Sequence, residues 1–347
     1  MSSGSRVSHR SFILYILLIV ILAAGTGIVS AHAPLSVGSN EDIANATLFT
    51  DPEKSFVLYT ELHEGNEAQY YLFPMKSGQR LYGSLQVPGP DSMVPDLAII
   101  GPGIPPSGDV PSFVQVPAGS GAMVISGKTP GKPVYEPFTP QPIYEVADFN
   151  ITVPQDGNYY IAVYGPEGGR YSLAPGYLEE FTAEEWLLIP WSVVSIHLWE
   201  GQSPAVIFAP LVIVVIGGLA LLVLYRKERG LMWGPANWLI VVAGLLYLGG
   251  AAMTALQVVH AVLLTGYTPV VLLTLLFILG PLILGIVAVL TGIRPLRPDS
   301  TPRTGISVLV IGLFGLLVWA GLIIGPLLAI AAGLIVLGGY FRKATPA

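Results

Sequence analysis

The stretch SPAVIFAPLVIVVIGGLALLVLY, from Ser203 to Tyr225, decides the fold class because it is uncharged and long enough to cross a bilayer as one helix. It separates two parts of different composition. The residues before it are polar and aromatic, with strand-like alternation and many prolines and glycines. The residues after it form further apolar stretches joined by short basic loops. We therefore predict that one part faces water and the other faces lipid.

Charge is distributed unevenly between these parts. The chain has 347 residues, of which 52% are hydrophobic and 11% are charged, as is typical of a membrane protein with a soluble part. From His32 to Glu200 there are 20 acidic and 6 basic residues, a net charge of −14, whereas the remainder has 2 acidic and 10 basic residues, a net charge of +8. Because an acidic surface repels phosphate, we do not expect the soluble part to bind nucleic acid.

The basic residues outside the soluble part all flank apolar stretches. By the positive-inside rule these positions are cytoplasmic, so the soluble part is expected outside the cell and the tail 342–347 in the cytoplasm. The residues are Arg6, Arg10, Arg226, Lys227, Arg229, Arg294, Arg297, Arg303, Arg342 and Lys343. The chain has no cysteine, so the exported part must be held together by packing rather than by disulfides.

Residues 1–33 have the features of a secretory signal peptide. Two arginines precede an apolar run, and the motif Ala31-His32-Ala33 ends it with small residues. Cleavage after Ala31 would make His32 the new N-terminus, and cleavage after Ala33 would leave Pro34 first. The alternative is an uncleaved signal anchor, because the apolar run 12–29 is nearly long enough to span a membrane.

Residues 34–176 are predicted to form an extracellular all-β sandwich of jelly-roll type. Short runs of branched and aromatic residues alternate with Gly, Pro, Asn and Asp. The segment 70–88 is predicted to form two strands turned at Lys76-Ser77-Gly78, and the Asp156-Gly157 pair is a strong turn signal before the strand pattern from Tyr159 to Tyr164. A segment of this length can bury a core of its own.

The segments YYLFPMKSGQRLYGSL, PDLAIIGPG and ITVPQDGNYYIAVYGPEGGRYSLAPG together resemble the bacterial pre-peptidase C-terminal domain family over about residues 68–175. The resemblance implies a jelly-roll-like sandwich that accompanies secreted or surface proteins as a non-catalytic accessory able to bind a ligand or calcium. The sequence departs from the family pattern between Gly103 and Phe149, where a Pro-rich insertion contains KTPGKPVYEPFTPQP. No peptidase motif precedes the domain, so the protease association is not carried over. An unrelated sandwich of this size would need the same turn glycines and aromatics.

Histidines of the exported part are candidate metal ligands. A mature chain beginning at His32 would offer an amine and an imidazole to copper, and His63 or His197 would supply a further nitrogen. The alternative is that His32 belongs to a discarded or unstructured end. This N-terminus would be similar to that of periplasmic copper carriers, and the resemblance is limited to it.

Carboxylates and asparagines offer weaker candidates. Asp91 and Asp96, or the pairs Glu179-Glu180 and Glu184-Glu185, are candidate calcium ligands, with solvated surface charge as the alternative. Two triplets of the N-x-S/T type, at Asn45 and Asn150, are candidate glycosylation sites, with ordinary surface asparagine as the alternative.

Residues 177–202 are predicted to be a juxtamembrane segment. Thr182-Ala183-Glu184-Glu185 has the form of a capping box, and the short apolar helix that follows contains Pro190. Because indole rings prefer the headgroup region, Trp186, Trp191 and Trp199 are predicted to lie at the membrane interface. The alternative is a last helix packed against the sandwich.

Residues 203–341 are predicted to be an α-helical multi-span membrane domain. The expected spans are about 203–225, 235–264, 269–293, 305–323 and 326–341. The last two are expected to form a hairpin broken near Gly325-Pro326, with one long kinked helix as the alternative. No Asp, Glu, Lys or Arg lies inside the spans, and only Gln257 and His260 offer chemistry there. We interpret them as a structural pair satisfied by neighbours, with a functional site as the alternative.

These features predict a multi-pass cell-surface membrane protein whose sandwich binds a surface polymer, glycan or partner protein without catalysing a reaction. The alternatives are an accessory subunit of a membrane transport or enzyme complex, and a periplasmic-type copper carrier. Calcium or copper is the only cofactor suggested. The expected partners are the lipid bilayer, a surface polymer or protein, and other membrane proteins.

Overall fold

A computed structural model describes residues 33–35, 39–294 and 302–344 of the chain. The signal segment up to His32 lies outside the described residues. The described chain forms a sandwich of two β-sheets followed by a bundle of helices, which confirms the predicted fold class.

The sandwich is built from eleven described strands. The first sheet has the order β1-β3-β11-β5-β9-β8 and the second the order β2-β4-β10-β6-β7. The strands are β1 (Ala33–Leu35), β2 (Thr47–Leu48), β3 (Phe56–Leu62), β4 (Ala68–Met75), β5 (Arg80–Val87), β6 (Asp96–Pro102), β7 (Ser120–Ile125), β8 (Val134–Glu136), β9 (Gln141–Thr152), β10 (Gly157–Tyr164) and β11 (Gly169–Pro175). The Pro-rich insertion thus supplies β7, β8 and the start of β9.

Alternation along the strands places one face of each sheet in a common core. On β10, Tyr159, Ile161 and Val163 point between the sheets and are fully buried. The hydroxyls of Tyr71 and Tyr171 meet there at 2.6 Å, and Tyr171 donates to Gln69 Oε1 at 2.6 Å. These contacts satisfy the polar atoms that the buried rings bring with them.

Six described helices follow the sandwich. They are α1 (Ala183–Trp199), α2 (Pro204–Glu228), α3 (Pro235–Thr265), α4 (Val271–Gly292), α5 (Pro302–Leu317) and α6 (Ile324–Ala344). Four of them, α2, α3, α4 and α6, are long and apolar enough to cross a membrane. With 16 residues, α5 is about 24 Å long and falls short of the ~30 Å hydrocarbon core.

The last apolar stretch consists of two antiparallel helices, α5 and α6. Gly305 and Gly312 on α5 lie against Gly333 and Ile330 on α6, with backbone atoms about as close as glycine permits. The turn between them, residues 318–323, lies earlier than the expected break at Gly325-Pro326. Pro326 instead lies in the first turn of α6, where its missing N–H is not needed.

The bundle has one end at the sandwich and one end away from it. At the far end, Arg226 lies over the Trp238 ring at 5.6 Å, and Asn237 Nδ2 donates to the carbonyls of Gly292 and Arg294 at 2.8 Å each. The described basic residues that flank the helices, among them Arg229 and Arg303, therefore lie at the helix ends remote from the sandwich.

Candidate functional site

The Pro-rich insertion forms a short hairpin that reaches the helices. Strand β8 pairs with the start of β9, with Glu136 opposite Gln141, so residues 137–140 (Pro-Phe-Thr-Pro) are the loop. Prolines at both ends of this loop restrict its backbone. We call it the docking loop.

The docking loop is hydrogen-bonded to the start of α4. Thr274 Oγ1 donates to the Pro137 carbonyl at 2.6 Å, and the Tyr135 hydroxyl lies 2.8 Å from the same Thr274 oxygen. Burial raises the pKa of Tyr135 to about 12, so its hydroxyl keeps the proton that it donates to Thr274.

Aromatic rings from three segments meet around the docking loop. Phe277 of α4 and Trp319 from the turn after α5 are stacked, with centroids 4.1 Å apart and planes 9° from parallel. The ring of Phe138 packs 6.0 Å from Phe277 and 6.2 Å from Trp319, and Trp186 of α1 lies 4.7 Å from Trp319. Ring pairs of this kind stabilise a contact by about 1 kcal/mol each beyond the area that they bury. We call the contact surface of the sandwich and α1 with the bundle the junction.

Proline in α1 explains one of the junction hydrogen bonds. Pro190 has no N–H, so the carbonyl of Trp186, four residues earlier, has no helical donor. Trp319 Nε1 donates to this carbonyl at 3.0 Å. The carbonyl that Pro190 leaves without a helical donor therefore attaches α1 to the bundle.

The turn that presents Trp319 has an unusual backbone. Trp319, Gly321, Leu322 and Ile323 all have φ between 53° and 68°. This region is costly for a β-branched residue such as Ile323, by about 1–3 kcal/mol. Such strain persists only where surrounding contacts hold it, and it is concentrated at functional sites.

Helix α1 lies between the sandwich and the bundle. The capping box at Thr182 and Glu185 forms as predicted, and Glu185 also pairs with Lys54 of the sandwich at 2.8 Å. At the other end, Trp199 Nε1 donates to the Thr60 carbonyl at 3.0 Å. The helix is therefore attached to the sandwich at both ends.

A buried carboxyl lies in the wall between the sandwich and α1. Glu136 lines a small cavity of about 20 Å³ together with Tyr59, Gln141 and residues of α1. Burial raises the pKa of Glu136 to about 8, although its Oε1 accepts a hydrogen bond from the Phe138 N–H at 3.1 Å. Glu136 is thus protonated at neutral pH.

A second cavity, of about 60 Å³, lies where α1 faces the bundle. Its lining comes from the docking loop, α1, α2, α3, α4 and the turn after α5. His197 of α1 is one lining residue and is 1% exposed. Its Nδ1 lies 2.8 Å from Glu200 Oε2, and its Nε2 has no hydrogen-bond partner among the residues that the structure describes. We call this space the junction cavity.

Of the predicted copper ligands, His63 lies apart from the junction cavity, whereas His197 lines it. Ala33 pairs with Phe56 on β3, and His63 follows β3 seven residues further on, about 23 Å away at 3.3 Å per residue. His32 itself lies outside the described residues. His63 instead groups with Glu41 and Glu67, whose ligand atoms all lie within 4.8 Å of one another. The Glu67 carboxylate is already bonded to the His63 N–H at 2.6 Å, and His63 is largely exposed.

The predicted calcium ligands do not form such a group within the described residues. Asp96 Oδ1 accepts from the Gly127 N–H at 2.8 Å, and Glu185 serves the helix cap and Lys54. Both sequon asparagines are exposed: Asn45 ends a short 3-10 turn, and Asn150 Oδ1 accepts from Arg80 Nε at 2.7 Å.

The three tryptophans have different surroundings. Trp186 packs among the junction rings, and Trp199 packs edge-on against Tyr59 at 4.9 Å. Only Trp191 projects outwards, together with Leu187, Leu188 and Leu198, as an exposed apolar face of α1. The helix therefore combines both expectations, since it packs against the sandwich and leaves an apolar face open.

Of the polar pair in α3, Gln257 is buried and exchanges two hydrogen bonds with Gln202, at 2.9 and 3.0 Å, whereas His260 is exposed.

Glu136 and the junction residues Phe138 and Trp319 were not singled out from the sequence, and His197 was considered only as a copper ligand. The departure of the Pro-rich insertion from the family pattern was the one signal that pointed towards them. Hydropathy does not reveal that a loop will meet a helix turn.

No protein-family model matches the chain, and no curated protein matches it. Among solved structures, the chain is similar to one described as pT26-6p, with 8% sequence identity over 84% of this chain and a TM-score of 0.12. The similarity spans 50% of that structure's chain. A TM-score this low supports no argument about fold or function.

Proposed function

We propose that the protein is a multi-pass cell-surface membrane protein whose extracellular sandwich binds a surface polymer, glycan or partner protein and catalyses no reaction. The sandwich is the recognition part, and the helices hold it at the membrane. The resemblance to the pre-peptidase C-terminal domain family is in keeping with this role.

The observation that carries the proposal is that the sandwich and the basic residues lie at opposite ends of the helix bundle. Basic residues such as Arg226 and Arg294 lie at the helix ends remote from the sandwich. If these ends are cytoplasmic, the sandwich is outside. It is also held by hydrogen bonds, an ion pair and stacked rings, so its free surface has a fixed orientation. A fixed orientation lowers the entropy cost of binding.

An exposed aromatic patch on the first sheet is the binding surface that we favour. Tyr82 of β5 packs edge-on against Tyr177 at 6.4 Å, and Arg80 lies over both rings at 4.7 and 5.5 Å. Asn150 is hydrogen-bonded to Arg80. The rings offer apolar area to the C–H face of a sugar, and Arg80 and Asn150 offer donors to hydroxyl or acidic groups.

Retention of the detergent-solubilised protein on native cell-wall material tests this proposal. Tyr82→Ala should weaken retention by about fivefold, which corresponds to about 1 kcal/mol for one lost ring contact. Leu48→Ala, an exposed apolar position on the other sheet, is the matched control and should bind as the wild type does. Equal retention of the wild type and the Tyr82→Ala variant would count against the patch, and no retention of the wild type would count against the polymer-binding function.

One observation favours the alternative of an accessory subunit. Only Ile207 of α2 is buried within the chain, so the helix is attached to the bundle along a narrow face. Its open face includes Gly217, where an added Cβ would meet no atom of another helix within 4 Å. Such a face suits a helix of a partner membrane protein as well as lipid. Co-purification of a helical partner that is lost in Gly217→Leu and retained in Leu224→Ala would support this second function.

A further inference from the structure

We propose that the junction cavity binds an uncharged alcohol, either a small free molecule or the hydroxyl end of a lipid. This inference is independent of the polymer-binding surface. The cavity has the form expected of a ligand site. It lies where the docking loop, α1 and the helix bundle meet, and its walls are apolar with a few polar atoms. At about 60 Å³ it exceeds the ~15 Å³ that a single water needs.

His197 is the group that would recognise the ligand. It is buried, lines the cavity, and has its Nδ1 fixed by Glu200 at 2.8 Å. Because the carboxylate accepts, Nδ1 carries a proton, and Nε2 is left without a described partner. A buried polar atom of this kind ordinarily has a partner, because leaving it without one costs about 1–3 kcal/mol.

The position of His197 is fixed by its neighbours. Gln202 donates to Glu200 Oε2 at 3.2 Å and exchanges hydrogen bonds with Gln257 of α3. The imidazole is therefore held between α1 and the bundle before any ligand arrives. A preorganised contact of this kind favours binding.

The lining also contains two threonine hydroxyls, together with donors from Gln257 and Trp319 that are used within the protein. Thr254 donates its proton to the Gly250 carbonyl at 3.2 Å, and Thr274 donates to the Pro137 carbonyl at 2.6 Å. Each hydroxyl proton is thus used within the protein; Thr254 Oγ1 remains an acceptor, whereas Thr274 Oγ1 already accepts from the Tyr135 hydroxyl at 2.8 Å. A ligand that donates a hydrogen bond suits this lining.

The charge of the lining and the hydrogen-bonding of His197 narrow the class of ligand further. The described lining residues include no Lys or Arg, so an anionic ligand would be buried without a counterion. A hydroxyl suits His197 in either state, because it donates to Nε2 of the neutral ring and accepts from Nε2–H of the charged ring. Phe138, Phe277 and Met253 supply the apolar walls for the carbon chain.

Photolabelling with a diazirine-bearing octanol tests the site in the full chain in detergent. We expect labelled peptides around Phe138, Met253 and His197, with labelling suppressed by unlabelled octanol. The corresponding methyl ether, which cannot donate, should label these peptides about fivefold less, as expected for one lost hydrogen bond. His197→Phe, which removes the acceptor, should lose the difference between the two probes, and His260→Phe, at an exposed histidine of α3, should retain it.

A second variant guards against misfolding of the histidine variant. Val193→Phe adds bulk at a half-buried lining position and leaves His197, Glu200 and Gln202 in place, so it should reduce labelling without changing elution on size exclusion. Mass spectrometry of extracted lipids separates the two sources, because a co-purifying lipid alcohol supports the lipid and its absence, with labelling intact, supports a free alcohol. Labelling that is unaffected by octanol and by Val193→Phe would overturn the proposal.

Discussion

Replacing Glu136 with glutamine tests the electrostatics of the buried wall between the sandwich and α1. Burial raises the pKa of Glu136 from its ordinary value of 4.5 to about 8. Below pH 4.5 the carboxyl is protonated in both the folded and the unfolded protein, and its contribution to the free energy of unfolding is fully present. This contribution is lost as the pH rises through about 8, because the unfolded protein releases the proton first. Each pH unit in this interval costs about 1.4 kcal/mol, so the loss approaches about 5 kcal/mol.

Glutamine has nearly the same shape, stays neutral and can accept the same hydrogen bond from the Phe138 N–H. At pH 7 the Glu136→Gln variant should therefore be more stable than the wild type by about 3 kcal/mol, which raises Tm by about 10 °C for a domain of this size. Near pH 4.5 the two should be equal.

The assay is thermal unfolding of the full chain in detergent between pH 4.5 and 9, followed by tryptophan fluorescence. Glu167→Gln, at an exposed loop position, is the control and should follow the wild type. A Glu136→Gln variant whose Tm changes with pH as steeply as that of the wild type would refute the reasoning.

Three further predictions follow from the same structure. Phe138→Ala removes the ring that packs against the stacked pair Phe277 and Trp319 and should loosen the docking loop by about 2 kcal/mol, seen as faster proteolysis at residues 128–140, whereas Val134→Ala, 65% exposed, should not change the rate. Reporter fusions after Arg229, Arg303 and Lys343 should be cytoplasmic, and one at residues 266–268 should be external; an external reporter after Lys343 would contradict the α5–α6 hairpin. Residues 34–176 alone should give a soluble β-type circular dichroism spectrum that is indifferent to reductant, because the sandwich core is internal to this segment and contains no cysteine; a mostly disordered or helical spectrum would contradict this.

Hydropathy and the alternation of apolar and polar residues were sufficient to predict a sandwich followed by membrane helices. The apolar stretch at 203–225 became α2, and the alternating run around Tyr159 became the central strand β10, because each pattern reflects a burial that its own segment determines. The predicted helix boundaries near Gly325 were less accurate, because the position of the turn between α5 and α6 depends on the packing of Gly321 against α3.

The junction could not be predicted in the same way. A tryptophan near a membrane span has the same sequence signature whether its ring meets headgroups or, as with Trp186 and Trp199, other rings. Phe138 lies in a short Pro-rich loop without periodicity, so its contact with α4 depends on the whole fold. His197 was noticed for its chemistry, but its burial between α1 and the bundle arises from tertiary packing.

Docking of the loop onto α4 is the central claim, and a cysteine pair tests it most directly. Thr274 Oγ1 donates to the Pro137 carbonyl at 2.6 Å, so cysteines at these two positions lie on opposite sides of the docked contact, and the native chain has no cysteine to interfere. In native membranes under mild oxidation, the double variant Pro137→Cys/Thr274→Cys should form an intramolecular disulfide, recognisable by mass spectrometry. The pair Leu48→Cys/Thr274→Cys, with its first cysteine on β2, should not. A Pro137→Cys/Thr274→Cys pair that stays reduced to the same extent as this control pair would contradict the docked arrangement.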